Sequence, residues 1–462
     1  MTVLKIAFRN MLRNRRRSAT TALAVAVGTM TFLLFGAFLA FVFSSLETDA
    51  VRRGGHLTVF KSGYFLLGAG DPAGYGIARY RDVAELIRTD PEVAPRLNII
   101  SPTLTVAGIA GNFSGEHEAS KTFFGVGKVP ADRAAMRRWD EHGIGQRDAT
   151  DDLLSDANPA LGYVGVGLGR VLRLCEPLKI ADCPAEKRSP TLTSGLAPAL
   201  AELPAMDQGG SAEPDSPHIE LLAATVGGAP NVVRLDLSGA ERQAAKELDD
   251  NYVGMNLALA QKLVFGRDEA KVTGIVLQLR RTEDLPAVRA RLNRIFTEHG
   301  LDLEVRDFTE LNPFYAQVHR FFGAMFLFIA LIMGVIVLFT VVNTMTMTVM
   351  ERTSEIGTSR ALGVRRSGIR LQFTLEGLLL GAVGATFGLA IAIAETLAVN
   401  HAGLRWTPPG NATSTAFRLA LLEHPALILI GWVAIVAVAT LAALAPASRG
   451  ARLQVVDALR HT

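Results

Sequence analysis

The chain has 462 residues, of which 49% are apolar and 20% charged, with a mean hydropathy of +0.27 and a formal net charge of +3. This composition is typical of a membrane protein rather than a soluble one, and we expect no nucleic-acid partner. The charges are unevenly spread along the chain. Four long segments therefore carry none.

These four apolar segments are candidate membrane spans. They carry no charge over 29, 30, 18 and 20 residues, at positions 18–46, 321–350, 377–394 and 426–445. A helix needs about 20 apolar residues to cross the hydrocarbon core, so each segment is long enough, the third with help from its flanks. The first could instead be a signal peptide, but secretory apolar regions run only about 7–15 residues. The sequence therefore predicts four transmembrane helices.

Lysine and arginine side chains predict the orientation, because they concentrate on the side from which short loops are not translocated. They are abundant before the first span, after the second span and in the tail, and scarce between the last two spans. Both termini are therefore predicted to be cytoplasmic. The predicted segments are an amphipathic helix (1–17), four spans (18–46, 313–350 with a stalk, 371–397 and 425–447), an extracytoplasmic domain (47–312), a coupling loop (351–370), an outer loop (398–424) and a tail (448–462).

The N-terminal segment has apolar residues at helical spacing, at positions 4, 7, 8, 11 and 12, followed by an arginine cluster. This pattern is typical of a helix that lies in the inner headgroup region, with its arginines held by anionic lipid. A basic tail that only sets the topology would show the same residues. Both interpretations remain open on sequence alone.

The extracytoplasmic domain contains strand-like and helix-like segments in alternation. Residues 98–108, 122–126, 232–237 and 272–279 are rich in β-forming or clustered apolar residues, and residues 80–90 and 285–298 have helical patterns. This alternation predicts a compact α+β fold. Residues 183–217 are rich in Pro, Ala, Ser and Gly, and predict a flexible insertion.

Cys175 and Cys183 are the only cysteines. In an oxidising compartment they would form a disulfide, which we prefer to two free thiols. We expect no metal site, because no histidine lies at ligand spacing from them.

No catalytic signature is found in the sequence. Gly127-Lys128 comes nearest to a phosphate-binding loop, but Val129 follows it and the upstream glycine is missing. There is no nucleophile-elbow motif. If ATP drives this protein, ATP and Mg²⁺ are bound by a separate subunit.

A charged segment lies between the second and third spans, with the sequence ERTSEIGTSRALG at residues 351–363. Two carboxylates share one helical face, and apolar residues lie beside two arginines. Such a short amphipathic helix is suited to a groove on a partner protein, although an ordinary basic loop would be almost as consistent. The candidate coupling residues are Glu351, Arg352, Glu355, Ile356, Gly357, Arg360, Ala361, Leu362 and Gly363.

The third span begins with an acidic residue and contains a row of glycines. Gly377, Gly381, Gly384 and Gly388 lie three or four positions apart, which predicts a groove for another helix. Glu376 is an intramembrane acid and a functional candidate, with an arginine of the coupling loop as its expected partner.

These motifs resemble the FtsX-like and MacB-like permease superfamily of ABC transporters, which includes lipoprotein-releasing permeases. The similarity lies in the acidic-basic pair, Glu-Ile-Gly and Arg-Ala-Leu-Gly of the loop, in Glu376-Gly377, and in a tail with Pro446, Ala447, Asp457, Ala458, Leu459 and Arg460. It extends more weakly to the MacB-like core of the extracytoplasmic domain. The insertion departs from the family pattern, which leaves the substrate open.

The resemblance implies a four-helix permease in the bacterial inner membrane, without a nucleotide site of its own. It implies two copies of an ABC ATPase subunit, a second permease copy or paralogue, and a periplasmic adaptor or lipoprotein as further partners. ATP hydrolysis would then drive a conformational change of the external domain, by mechanotransmission, to extract a lipid-linked or hydrophobic substrate such as a lipoprotein. The alternative is a non-transport, FtsX-like regulator of cell-wall hydrolases.

Overall fold

The computed structural model describes residues 7, 9–10, 13, 15–68, 71, 74–113, 118–145, 153–181, 183, 216–243, 246–406 and 415–455. Most of the predicted N-terminal helix, nearly all of the predicted insertion, and Asp457 to Arg460 of the tail motif lie outside the described residues. The described residues form two compact units. We call the residues up to Glu47 and from Pro313 onward the membrane unit, and Thr48–Asn312 the inserted unit.

The helices are long in the membrane unit and short in the inserted unit. They are α1 (Arg15–Gly54), α2 (Tyr64–Leu67), α3 (Tyr80–Thr89), α4 (Pro130–Arg137), α5 (Val166–Val171), α6 (Lys246–Asp249), α7 (Leu257–Phe265), α8 (Leu285–Glu298), α9 (Phe308–Leu311), α10 (Pro313–Glu351), α11 (Thr353–Ala361), α12 (Arg366–His401) and α13 (Pro425–Arg452).

The strands lie almost entirely in the inserted unit. They are β1 (Leu57–Lys61), β2 (Leu97–Asn112), β3 (Ala119–Lys128), β4 (Leu161–Val164), β5 (His218–Ala224), β6 (Pro230–Ala240), β7 (Tyr252–Asn256), β8 (Gly274–Leu279) and β9 (Leu303–Asp307), with a two-residue pair, β10 (Arg405–Trp406) and β11 (Thr415–Ala416), after α12.

Four helices of the described chain, α1, α10, α12 and α13, are long and apolar enough to cross a membrane, which confirms that part of the predicted fold class. All four extend beyond the uncharged runs. The first predicted span ended at residue 46, but α1 continues to Gly54, and its last turns carry an ion pair between Asp49 and Arg53 one helical turn apart. Charge marks where a helix leaves apolar surroundings, not where its backbone hydrogen bonds end.

The four long helices of the membrane unit pack around small side chains. Val25, Val341, Leu380 and Ala439, one from each helix, belong to the same buried cluster. In contrast, α10 exposes many of its large apolar side chains, including Leu327, which is 70% exposed. Exposed apolar surface on a helix of 39 residues is what lipid solvates.

In the inserted unit six strands close into a barrel-like ring. The neighbours around the ring are β2, β3, β7, β4, β6 and β5, and β5 pairs back with β2. Side chains alternate across β5, where Ile219 and Leu221 are buried while Glu220 and Leu222 are exposed. The period of two places one apolar row inside the ring.

A second, four-stranded sheet shares the long strand β2 with the ring, in the order β2-β8-β1-β9. The first half of β2 pairs with β8 and the second half with β3 and β5. Helix α8 packs against this sheet with Val288, Leu292, Ile295 and Phe296 buried. The sequence predicted an α+β fold, and the structure shows that the strands form a closed ring joined to an open sheet.

The disulfide between Cys175 and Cys183 lies beyond the end of α5, with a Cα–Cα distance of 6.2 Å. It closes a short loop of the inserted unit. Lys179 of that loop has a positive φ angle of 51°.

Candidate coupling site

The centre of the site is a buried ion pair between the coupling loop and the third apolar helix. Arg352, between α10 and α11, donates from Nη1 to both carboxylate oxygens of Glu376 on α12, at 3.0 and 3.3 Å. Both residues are about 5% exposed. A charge-assisted bond between two buried ions fixes the ends of α10 and α12 relative to each other.

The N-terminal segment supplies a third member of this centre. Asn10 donates from Nδ2 to the same Oε1 atom of Glu376, at 2.7 Å. The carboxylate thus accepts bonds from two different segments. A small polar cavity beside it is lined by Asn10, Arg17, Ser18, Thr344, Thr348, Arg352 and Glu376, among others.

Two further ion pairs join the N-terminal segment to the loop. Arg13 pairs with Glu355 and Arg17 pairs with Glu351, each at 2.7 Å. Both pairs are partly exposed, so each contributes little alone, on the order of 0–1 kcal/mol. Together the two pairs align the N-terminal segment with the loop, because arginines four positions apart meet carboxylates four positions apart.

The far end of α11 is held by the last helix. Arg360 donates from Nη1 to the carbonyl oxygens of Ala451 and Leu453, at 3.3 and 2.9 Å. These carbonyls lie at the C-terminal end of α13, where backbone acceptors have no partner in the helix and a cation is favoured.

An apolar cluster completes the attachment of α11. Ile356 is 4% exposed and packs with Val349, Phe373 and Ala447, which belong to α10, α12 and α13. Gly357 is buried beside it. Helix α11 is therefore fixed to all three neighbouring helices.

One part of the loop remains exposed. Leu362 is 82% exposed and Val364 is 43% exposed, with Gly363 between them at a φ angle of 93°. A glycine in this left-handed conformation ends α11 without strain, and the chain turns into α12. The result is a projecting apolar tip on a rigidly held helix.

The four glycines of α12 contact two different helices. A Cβ atom on Gly377 or Gly381 would lie 2.3 Å from Ala443 Cβ or 2.6 Å from Ala439 Cβ of α13. One on Gly384 or Gly388 would lie 2.7 Å from Val25 Cβ or 2.3 Å from the Ala26 carbonyl oxygen of α1. The row of glycines is thus two successive close contacts, one with α13 and one with α1.

The structure divides the predicted coupling residues into two groups. Glu351, Glu355, Ala361, Leu362 and Gly363 are exposed, whereas Arg352, Ile356 and Gly357 are buried and Arg360 is partly buried. The buried members cannot contact a partner directly. They hold the exposed members in place.

Sequence reasoning missed the roles of Asn10, Arg13 and Arg17. It predicted that the arginines bind lipid or set the topology, and it did not single out Asn10. A signal was present in the sequence. The i,i+4 spacing of Arg13 and Arg17 is the same as that of Glu351 and Glu355. Matching charge spacing in two helical segments indicates a contact between them.

The described chain thus combines four helices that are long and apolar enough to cross a membrane, a large α/β unit inserted after the first of them, and a loop held by ion pairs. Residues 326–455 match the family described as FtsX-like permease C-terminal. The resemblance to the FtsX-like and MacB-like permease superfamily, proposed from the loop and tail motifs, is thereby confirmed, and the matched region includes α11, α12 and α13.

Curated relatives carry permease names. The chain is 32% identical over 122 residues to the macrolide export ATP-binding/permease protein MacB of Escherichia coli, which is 26% of this chain and 19% of the relative. It is 32% identical over 138 residues to the ABC transporter permease YtrF of Bacillus subtilis, 29% of this chain and 31% of the relative. It is 24% identical over 230 residues to MacB of Bdellovibrio bacteriovorus, 48% of this chain and 33% of the relative. The chain thus matches no more than about a third of the length of these three relatives.

Proposed function

We propose that this chain is the permease subunit of an ABC transporter of the bacterial inner membrane, with both termini in the cytoplasm. Two copies of a separate ATPase subunit bind ATP and Mg²⁺, and the permease acts with a second copy or a paralogue. The permease names of the relatives and the match over residues 326–455 support this class. The proposal rests above all on one observation, the exposed tip of the coupling loop.

The tip projects from a helix that is attached firmly to its neighbours. Leu362 and Val364 project from α11, and α11 is fixed by Arg352 to α12 and by Arg360 to the end of α13. A force on the tip therefore acts on three helices together rather than bending a flexible loop. An exposed leucine next to a helix end is also suited to an apolar pocket on a partner.

The length of α10 gives the next step of the mechanism. It has 39 residues and is about 58 Å long, nearly twice the thickness of a bilayer core. A helix of that length continues beyond the membrane as a stalk. ATP-driven movement of the loop would thereby reach the outer side by mechanotransmission, without substrate crossing along the same path.

The cargo we propose is lipid-linked or hydrophobic, such as a lipoprotein, handed to or from a periplasmic partner. The name of the Escherichia coli relative says that it exports macrolides. An inserted unit of 265 residues, Thr48–Asn312, is large enough to form a substrate-handling domain.

The test is a pair of matched substitutions. Leu362→Asp places a charge at the tip and should reduce co-purification of the ATPase at least tenfold, because a carboxylate is costly in an apolar pocket. Leu422→Asp is the control, because Leu422 is also exposed, at 52%, but lies in the segment between α12 and α13 and not in the coupling loop. It should retain the ATPase at the wild-type level.

The measurement is quantitative mass spectrometry of the complex after gentle extraction from native membranes, with the protein yield of each variant recorded. Full retention of an ATPase by Leu362→Asp would rule out the tip as the docking point. If no ATPase is recovered with the wild-type chain, the transporter assignment itself fails.

A further inference from the structure

A cavity in the inserted unit is lined by cationic and hydroxyl side chains. Its wall consists of Arg52, Arg53, Lys128 and Arg133 together with Ser101, Thr103, Met136 and Val276, and it is partly open to solvent. No carboxylate is among these lining residues of the described chain. Four positive groups facing one small space are costly unless a negative group joins them.

Three cations of the wall, Arg52, Arg53 and Arg133, pair with carboxylates that lie outside it. Arg133 and Arg137 both pair with one carboxylate, that of Glu241, the first at 2.9 Å. Burial raises the pKa of Glu241, but the guanidinium groups of Arg137 and Arg133 outweigh it and hold that pKa below its usual value. One carboxylate therefore serves two guanidinium groups.

The two arginines at the end of α1 each have a carboxylate partner. Arg52 pairs with Asp140 at 3.3 Å, and Arg53 pairs with Asp49 at 3.1 Å. Asp132 lies outside the wall but is hydrogen-bonded to Ser101 of the wall, and burial raises its pKa.

Lys128 is the member of the wall that lacks a carboxylate partner among the described residues. Its Nζ atom donates to the backbone carbonyl of Arg53 at 3.1 Å, although an ammonium group has three hydrogens to donate. Burial, and next the charge of Arg133, lower the pKa of Lys128 to about 8. Burial and the neighbouring guanidinium groups thus disfavour the charge of Lys128, and the carboxylate of Glu241 compensates only in part.

We propose that this cavity binds a phosphate-type oxyanion, with Lys128 as its principal ligand. The hydroxyl of Thr103 donates to the carbonyl oxygen of Gly274 at 3.3 Å and would redirect this hydrogen to the bound oxyanion. A tetrahedral oxyanion would accept the free hydrogens of Lys128 and would compensate the positive excess of the wall. The site is built from side chains of α1, β2, β3 and α4, so it differs from a nucleotide-binding loop, which uses backbone N–H groups. The inference is independent of the proposed permease function, because binding is measured directly.

Two kinds of ligand carry such an oxyanion, namely free phosphate and the headgroup of an anionic lipid. Both present a phosphoryl oxygen to the cavity. The experiment separates them by the lipid that surrounds the protein.

The experiment is isothermal titration calorimetry of the full chain in phosphatidylcholine nanodiscs at pH 7, with inorganic phosphate as the probe and ionic strength held constant with chloride. The wild-type chain should bind one phosphate per chain. Lys128→Met should weaken binding at least tenfold, and Thr103→Val about threefold. Lys262→Met removes an exposed lysine of α7 and should bind phosphate as the wild type does.

Two results would overturn the proposal. One is the absence of phosphate binding above the chloride background, and the other is equal affinity in the wild type and in Lys128→Met. Thermal unfolding of each variant shows whether it is folded, and Thr103→Val provides the test if Lys128→Met is not. A structural ion network alone predicts no binding at all.

Repeating the titration in nanodiscs that contain phosphatidic acid identifies the source. If lipid headgroups fill the cavity, the anionic lipid will weaken phosphate binding to the wild type and to Lys262→Met equally, by more than the surface charge measured at a second salt concentration explains. The residual affinity of Lys128→Met will not respond. If free phosphate is the ligand, the two membranes will give the same affinity once the salt dependence is removed. Both results retain the oxyanion site.

Discussion

At the scale of single residues, the pair of Arg352 and Glu376 is the most constrained feature of the membrane unit. Each side chain is almost completely buried, and the carboxylate also accepts a bond from Asn10. Burying two charges is expensive, and their attraction repays the cost only when the geometry is good. The pair therefore specifies how the loop is attached more than it adds stability.

A double-substitution cycle tests this interpretation. Glu376→Leu alone should lower the free energy of unfolding by about 3–5 kcal/mol, because it removes the buried countercharge of Arg352 and leaves only the exposed carboxylate of Glu355, at 3.6 Å. Adding Arg352→Met should recover most of that loss. The measurement is chemical unfolding of the four proteins in the same detergent, followed by helical circular dichroism.

The cycle has a clear contradictory outcome. If the two single substitutions are additive in the double variant, the residues do not interact and the assigned contact is wrong. Arg370→Met serves as a control for removal of a loop arginine, since Arg370 is exposed.

At the scale of elements, α12 depends on the absence of side chains along one of its faces. Its close contacts with α13 and α1 occur at successive glycines, where an added methyl group would overlap with neighbouring atoms. Lipid is as apolar as the side chains of a membrane helix, so two such helices are held together mainly by close van der Waals contacts. We therefore expect the glycines to matter individually.

Gly381→Ala should lower the free energy of unfolding by about 1–3 kcal/mol, because the new Cβ atom would lie 2.6 Å from Ala439 Cβ. Gly334→Ala on α10 is the matched control, since no neighbouring heavy atom lies within 4 Å of the added methyl group. That control should be neutral or slightly stabilising. Thermal unfolding in detergent measures both.

A second substitution makes the test specific. Ala439→Gly combined with Gly381→Ala should restore part of the lost stability, because it removes the methyl group that clashes. Equal effects of Gly381→Ala and Gly334→Ala would show that the α12–α13 contact is not close.

The sequence predicted the four long helices of the membrane unit well, because a long uncharged run identifies such a helix by its composition alone. It did not predict where they end, as α1 shows at Gly54 and α12 shows by beginning at Arg366. The attachment of the loop was predictable in part. An arginine partner for Glu376 was expected, whereas Asn10 carries no charge and gave no signal.

The barrel-like ring of the inserted unit was not predictable in the same way. Its strands pair over long separations, such as β3 with β7, and a period-two pattern identifies a strand without identifying its neighbour. Lys128 was singled out only through a failed resemblance to a phosphate-binding loop. Its cationic neighbours Arg52 and Arg133 lie 76 positions before it and 5 after it, and only the fold brings them together.

At the scale of the whole molecule, the chain enters and leaves the inserted unit at adjacent strands. β1, near its beginning, pairs in antiparallel register with β9, near its end, so that Leu57 lies opposite Asp307. The unit has its own large buried core. Units whose two ends lie together and whose core is their own are the ones that fold after excision.

We therefore expect residues 48–312, produced alone in an oxidising compartment, to fold with a cooperative thermal transition and a β-rich circular dichroism spectrum. The matched control ends at residue 302 and lacks β9. It should lose the cooperative transition, because β1 would lose its outer neighbour and become an unpaired edge strand. Cooperative unfolding of both fragments would show that β9 is dispensable.

The closed ring has a consequence for solubility at the high local concentrations of a membrane surface. A ring of strands has no free edge, and the second sheet of the described chain ends at β9, whose sequence LEVRD places Glu304, Arg306 and Asp307 along its five residues. Charged side chains on an outermost strand oppose the addition of a foreign strand. Neighbouring molecules can thus crowd together in the bilayer without their β-sheets fusing into aggregates.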